Sequence, residues 1–158
     1  MTDGANEYGI RISRVFDASR ERVWREGTEP ERFADWYGGP QCEVPLDSVS
    51  MDVRPGGKWR LTMFAPPDRR RIDWKGEYLE VVPGERLVST ERYDQQWYEG
   101  DAVGTVEFTE SQGRTVLVTT LRYASKQVRD AVIQSPATSG MESGYLVLDE
   151  LLASIAAA

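Results

Sequence analysis

The side chains available for chemistry in this sequence are carboxylates, tyrosines, arginines, lysines and one thiol, because its 158 residues include no His and a single Cys. Ser-His-Asp and Cys-His pairs, imidazole metal sites and any side chain whose unperturbed pKa lies near neutrality are therefore excluded. Cys42 follows Gly38-Gly39-Pro40 and reads as a small apolar residue rather than a nucleophile. A metal site would have to use carboxylates, and no Asp/Glu cluster has the spacing of a calcium-binding loop, so neither a metal nor a cofactor is expected. The groups on expected strands and helices that could hold or move a proton are Arg14, Tyr78, Glu91, Arg92, Tyr93 and Tyr145. A carboxylate in an apolar cavity has its pKa raised into the range useful for general acid or base work, and a Tyr can stabilise an enolate. No spacing singles out a pair, and a buried salt bridge or an outward-facing strand position explains each residue as well. Catalytic residues therefore stay unassigned.

A second set of residues has the character of a binding surface. Trp36, Trp59, Met63, Trp74, Tyr78, Tyr93, Trp97, Met141, Tyr145 and Leu148 could line an apolar cavity. Aromatic and Met side chains supply large polarizable contact area, and Tyr hydroxyls or Trp N–H groups orient a polar end. The plainer reading of each is core packing. Tyr93, Trp97 and Tyr98 fall in the connecting segment Glu91–Asp101, which reads either as a flap at a cavity mouth or as a wide hairpin packed on a sheet edge. Asp68-Arg69-Arg70-Arg71 puts three guanidinium groups at an expected hairpin tip, where they form an anion-binding fork or, more plainly, a solvated turn. Gly140 and Gly144 would bring a helix close to its neighbour.

Positioning these residues requires a mostly β chain. In residues 8–16, Tyr8, Ile10, Ile12 and Phe16 share one side of a first strand, with Arg14 the exception on that side. Ser19 can cap a helix over RERVWREG, and Thr28 with Glu31 has the spacing of a capping box before a second short helix containing Pro30. Strand signals then run over 43–53, 57–65, 71–82, 86–94, 102–110 and 114–123, separated by Pro55-Gly56-Gly57, Pro83-Gly84 and Gly113. Ile72, Trp74, Gly76 and Tyr78 alternate with Asp73, Lys75 and Glu77, so one sheet face needs a cover. Met141, Tyr145, Leu148, Leu152 and Ile155 form the stripe of an amphipathic helix that would supply it. Pro136 separates that helix from a shorter one over KQVRDAVIQ, capped by Ser125.

Charge and length narrow the class. A chain of this size buries roughly 68–70% of its unfolded surface, enough for one core without staples. With 26 acidic against 19 basic residues, a net charge of −7 argues against a nucleic-acid partner. Six acidic residues and one basic lie between Glu91 and Glu110, so a cavity mouth there would disfavour anions unless Arg69–Arg71 lay close. Met1–Glu7 is polar, no apolar stretch approaches a membrane span, and a cytoplasmic location is expected.

Several stretches together carry a resemblance. They are Ala18-Ser19 through Val23-Trp24, Glu29-Pro30-Glu31, Trp36-Tyr37-Gly38-Gly39-Pro40, Asp52-Val53-Arg54-Pro55-Gly56-Gly57-Lys58-Trp59, Gly76 through Leu87, and Gly140-Met141-x-x-Gly144-Tyr145 with Leu148-Asp149-x-Leu151. In this order they resemble the START-like (SRPBCC) superfamily, in the branch named after the activator of the heat-shock-protein-90 ATPase, homologue-like proteins. The resemblance spans residues 8–156 and implies a single α+β domain after a short polar extension, 1–7. It implies the helix-grip fold of the birch-pollen allergen: a curved antiparallel sheet of about seven strands around a long C-terminal helix, with two short helices after the first strand. It further implies a cavity between sheet and helix whose usual occupant is a small hydrophobic molecule. The fold does not choose among functions. A binding module leads, a polyketide cyclase or aromatase-like enzyme is the catalytic alternative, and contact with a chaperone is the third. The absence of His counts against the catalytic relatives, so the chain reads more as a binder than an enzyme. A homodimer through the edge strands or the aromatic loop is compatible with the sequence but not specified by it.

Overall fold

The structure, a computed structural model, describes residues 8–135 and 137–157, with side-chain surroundings for 8–135 and 141–153. The expected extension 1–7, Pro136, the surroundings of Gly140 and the side chain of Ile155 lie outside the described residues. Strand β1 (Gly9–Phe16) leads into helices α1 (Arg20–Thr28) and α2 (Pro30–Trp36). Strands β2 (Ser50–Met51), β3 (Lys58–Ala65), β4 (Arg70–Val82), β5 (Arg86–Tyr93), β6 (Ala102–Ser111) and β7 (Arg114–Arg122) follow, then α3 (Lys126–Ile133) and α4 (Ala137–Ala157). The strands form one antiparallel sheet in the order β1-β7-β6-β5-β4-β3-β2. This is the helix-grip arrangement, a curved sheet with a long final helix on one face.

Local chemistry explains where the elements begin and where expectation failed. Ser19 Oγ accepts the Arg22 N–H at 3.4 Å and Ser125 Oγ accepts the Val128 N–H at 3.2 Å, so both expected caps form. The Thr28–Glu31 capping box does not. Thr28 is the last residue of α1, and its hydroxyl donates back to the Trp24 carbonyl at 2.8 Å, which leaves Glu29 as the uncapped start of α2. The strand expected over 43–53 reduces to a Glu43–Phe64 bridge, a 3-10 turn at Leu46–Ser48 and the two residues of β2. Pro45 has no N–H for a ladder, and Ser48 Oγ takes its place by donating to the Pro45 carbonyl at 2.7 Å and accepting the Thr62 N–H at 3.1 Å.

Three clusters of buried side chains form the core, the smallest of them Ala102, Leu121 and Tyr123 with Val132 of α3, and the two others share the concave face. Phe16, Phe108 and Leu117 of β1, β6 and β7 pack with Val23, Trp36, Tyr145, Leu148 and Leu152. Leu61, Met63, Ala65 and Ile72 of β3 and β4 pack with Phe33, Tyr37 and the 42–49 segment. Helix α4 reaches the first cluster because small residues line its approach. A Cβ on Gly144 would stand 3.0 Å from the Trp36 carbonyl oxygen, and one on Gly39 would stand 2.7 Å from the Ser143 Cβ. The helix is thus drawn against the turn after α2.

Arg14, the exception in β1, is explained by the same helix. It faces α4, and its guanidinium donates to the Asp149 carboxylate through Nε at 3.1 Å and through Nη2. Two outcomes follow. Gly144→Ala should destabilise the protein by about 1–3 kcal/mol, measured by urea unfolding, because the Trp36 carbonyl oxygen and the Gly38 nitrogen its Cβ would meet are backbone atoms. A double-mutant cycle over Arg14→Ala and Asp149→Ala should give a coupling of about 1 kcal/mol for this partly exposed pair. Additive effects would remove the pair from the account of how α4 is held.

Candidate functional site

Strand β5 crosses the concave face between the two clusters, and its inward residues are more polar than theirs. Register sets the phase: Trp74 of β4 opposes Tyr93, Ser89 opposes Gly104, and Glu91 opposes the fully buried Ala102. Side chains alternate along a strand, so Ser89, Glu91 and Tyr93 share the face that Trp74 occupies. Burial pushes the Glu91 carboxyl up to about 7, and no other group offsets the shift. The residue is nevertheless only half-buried, and its carboxylate has no hydrogen-bond or ion-pair partner among the described residues. Glu26 is the contrast. It is also buried and shifted upward by desolvation, but Arg32 Nη1 stands 3.5 Å from its Oε1 and works against the shift.

Two runs of aromatic rings come within electrostatic reach of Glu91. One passes from Trp74 to Tyr93, Tyr98 and Tyr123, with centroids 4.8, 6.1 and 5.8 Å apart. The other links Phe33, Tyr37, Trp36, Tyr145 and Phe16, and includes the near-parallel Trp36–Tyr145 pair at 5.8 Å. Burial raises the phenols of Tyr37, Tyr98, Tyr123 and Tyr145, and the charge of Glu91 adds to each. The carboxylate therefore lies within electrostatic reach of both runs. Tyr145 is tied to Thr119 Oγ1 at 2.7 Å, whereas the hydroxyls of Tyr37, Tyr98 and Tyr123 have no partner among the described residues. Trp74 Nε1 is a sealed donor with no partner among the described residues.

The residues singled out from the sequence distribute unevenly around this centre. Trp74, Tyr93 and Tyr145 belong to the two aromatic runs. Trp36 and Leu148 are core of the first cluster, with Trp36 Nε1 donating to the Glu26 carbonyl at 2.9 Å, and Met141 packs half-buried beside them. Met63 lies in the second cluster. Trp59 reaches across β4 at Gly76, where a Cβ would be 2.4 Å from its Nε1, and donates to the Thr90 carbonyl at 3.2 Å. Tyr78 stands apart beside a β-bulge, where burial and then Asp52 raise its phenol. Trp97 is 57% exposed. Tyr37 and Tyr123 were not chosen from the sequence, and Tyr98 was marked there only as part of the Glu91–Asp101 connection. The signal that could have found Tyr123 is its phase, two residues beyond the inward Leu121.

The connection between β5 and β6 is a braced hairpin turn with one ring in and one out. Gln96 Nε2 donates to the Tyr98 and Gly100 carbonyls at 2.8 and 2.7 Å, Tyr98 packs inward, and Trp97 points to solvent. An open concavity of about 380 Å³ at this connection is lined by Tyr93, Tyr98, Asp94, Glu99, Lys75 and Arg92 among others. A second, of about 410 Å³, lies over Arg60, Lys75, Glu77 and Arg92, whose places in the register put them on the opposite face from Trp74 and Glu91. The three tip arginines do not converge: Arg69 pairs with Glu43 at 2.8 Å and Arg71 with Asp73 at 3.0 Å. Among the described residues no group of His, Cys, Asp and Glu could hold a metal, and no helix is long and apolar enough to cross a membrane.

Comparison with known proteins agrees with this architecture. The profile of the family described as Activator of Hsp90 ATPase homolog 1-like protein matches residues 17–153. A crystal structure of a Rhodobacter sphaeroides protein is similar at 26% identity over 94% of each chain, with a TM-score of 0.83. One from Chromobacterium violaceum has 26% identity over 92% of this chain and 96% of its own, with a TM-score of 0.76. One from Nitrosomonas europaea shares the fold at 21% identity, covering 99% of this chain and 100% of its own, with a TM-score of 0.84. No curated protein matches the chain.

The carboxyl of Glu91 makes stability depend on pH in a defined direction. Its folded pKa of about 7 stands above the ordinary 4.5, so folding favours the protonated form. The stability this gives is fully present below the unfolded value and is lost as pH rises through the folded one. Between about pH 4.5 and about pH 8 the wild type should lose on the order of 2 kcal/mol that Glu91→Gln does not lose, after allowance for partial exposure. Denaturant unfolding at both pH values checks this, and identical pH dependence in the two proteins would contradict it.

Proposed function

Because the chain belongs to the family of activator of Hsp90 ATPase homolog 1-like proteins, we propose that it binds a small, mostly apolar molecule between the concave sheet face and α4, with the polar end of that molecule at Glu91. The observation that carries this reading is the carboxylate itself, desolvated, half-buried and without a partner. Its partial exposure leaves the side chain accessible to a ligand group. An unpaired buried carboxylate is costly, and a hydrogen-bond donor brought by a ligand would offset that cost.

The surroundings support the same reading. Tyr37, Tyr98 and Tyr123 add hydroxyls without protein partners, and the rings of both runs supply apolar area, the composition of a small-molecule site. The concavity at the β5–β6 connection is lined in part by Tyr93 and Tyr98, two rings of one of these runs. Trp36, Met63 and Leu148 belong to the packed clusters and would bound the site more than touch its occupant.

2-Naphthalenemethanol, an apolar body with one hydroxyl donor, is a suitable probe. Titrating it should change the intrinsic Trp fluorescence saturably. Glu91→Gln should weaken binding several-fold, roughly 3–10-fold, and Trp97→Phe should leave it unchanged. Absence of saturable binding, or equal binding by the Gln variant, would count against the reading.

A further inference from the structure

We propose that the occupant of this interior site is an organic ammonium ion, a protonated amine on an apolar body, held by the Glu91 carboxylate and the faces of the surrounding aromatic rings. This rests on the interior-binding reading above and names the class of ligand for it. The argument begins with what is missing around the carboxylate. Among the described residues no Arg or Lys forms an ion pair or hydrogen bond with Glu91, and burial alone raises its pKa. Arg14 reaches the electrostatic surroundings of Tyr145 but is committed to Asp149. Among the described residues, no protein cation meets the Glu91 carboxylate.

The rings around that charge complete a cation site. Tyr98 and Tyr123 from one run and Tyr37 and Tyr145 from the other lie within reach of the same carboxylate. Aromatic faces attract a cation within about 6 Å of the ring centre, more strongly when it is desolvated. A carboxylate ligand would meet Glu91 with like charge, and a neutral ligand would leave its charge uncompensated.

The open concavity at the β5–β6 connection leaves neither of its lining cations unpaired. At the concavity beside Tyr93 and Tyr98, Lys75 is held by Asp94 at 2.9 Å and Arg92 by Asp101 at 2.5 Å, while Glu99 has no partner among the described residues. The whole chain carries −7, so the long-range field also favours a cation.

The titratable groups facing Glu91 are Tyr93 on its own strand, Tyr37 after α2, Tyr98 in the β5–β6 connection, Tyr123 after β7 and Tyr145 on α4. Burial raises every one of these phenols, so they stay neutral near physiological pH. Glu91 is then the group whose ionisation controls the site.

The test compares 2-naphthalenemethylamine with 2-naphthalenemethanol by calorimetry on the whole protein. At about pH 8 the amine should bind at least about tenfold more tightly than the alcohol, and from about pH 6 to about pH 8 its affinity should rise by about tenfold as Glu91 ionises. Glu91→Gln should bring the two ligands to near equality and flatten the pH dependence. The wild-type comparison needs no variant, so a poorly folding variant would not shelter the proposal. Equal binding of amine and alcohol by the wild type would overturn the ammonium assignment and leave the interior-binding reading standing. A preference for the amine that survives Glu91→Gln would also overturn it, because the selectivity would then come from surface acid. Failure of both ligands to bind would overturn the interior-binding reading and this inference with it.

Discussion

The concave face of a curved antiparallel sheet must be kept from water, and here one helix of 21 residues is the main cover. The helix lies close to the turn after α2 because Gly39 and Gly144 leave room there, and its Asp149 is tied to β1 by Arg14. That placement packs Tyr145, Leu148 and Leu152 over β1, β6 and β7. The β3 and β4 side of the face is covered separately, by residues after α2 and by the 42–49 segment. Strand β5 falls at the seam between the two covers, and that is where Glu91 sits. The position of the site is thus a consequence of how far one helix can reach across a seven-stranded sheet.

Two desolvated carboxylates, one buried under the short helices and one half-buried at the seam, show what their surroundings permit. Glu26 lies under α2 with Arg32 beside it, so its charge has a local counterpart and contributes to joining the two short helices. Glu91 has no counterpart among the described residues, and the phenols of Tyr37, Tyr98, Tyr123 and Tyr145 lie within its electrostatic reach. An unmatched charge of this kind costs stability in the empty protein. A ligand that supplies the missing charge or donor would be bound partly because it removes that cost, which links the strain at the seam to the function proposed for it.

Much of the architecture was legible in the sequence because alternation and turn chemistry act locally. Ile72, Trp74 and Gly76 gave the phase of β4, Ser19 and Ser125 capped as their spacing implied, and Gly113 closed the β6–β7 turn at a positive φ. The failures came where a side chain competed with the backbone pattern. Thr28 bonded back into its own helix, and Ser48 replaced a strand with a 3-10 turn. The centre of the site was half legible. Phase put Glu91, Tyr93 and Tyr145 among the candidates, but nothing local shows that Arg14 is spent on Asp149 or that Tyr37, Tyr98 and Tyr123 converge from three separate segments. Those facts depend on contacts between distant parts of the chain.

The most direct test of the account is the titration of the Glu91 side-chain carboxyl in the ligand-free protein, followed by carbon-13 NMR. A midpoint near the value of about 7 that burial imposes is the predicted result. A midpoint near the ordinary 4.5 would mean that the carboxylate is solvated or paired, and would contradict the claim that an unmatched charge lies at the seam of this fold.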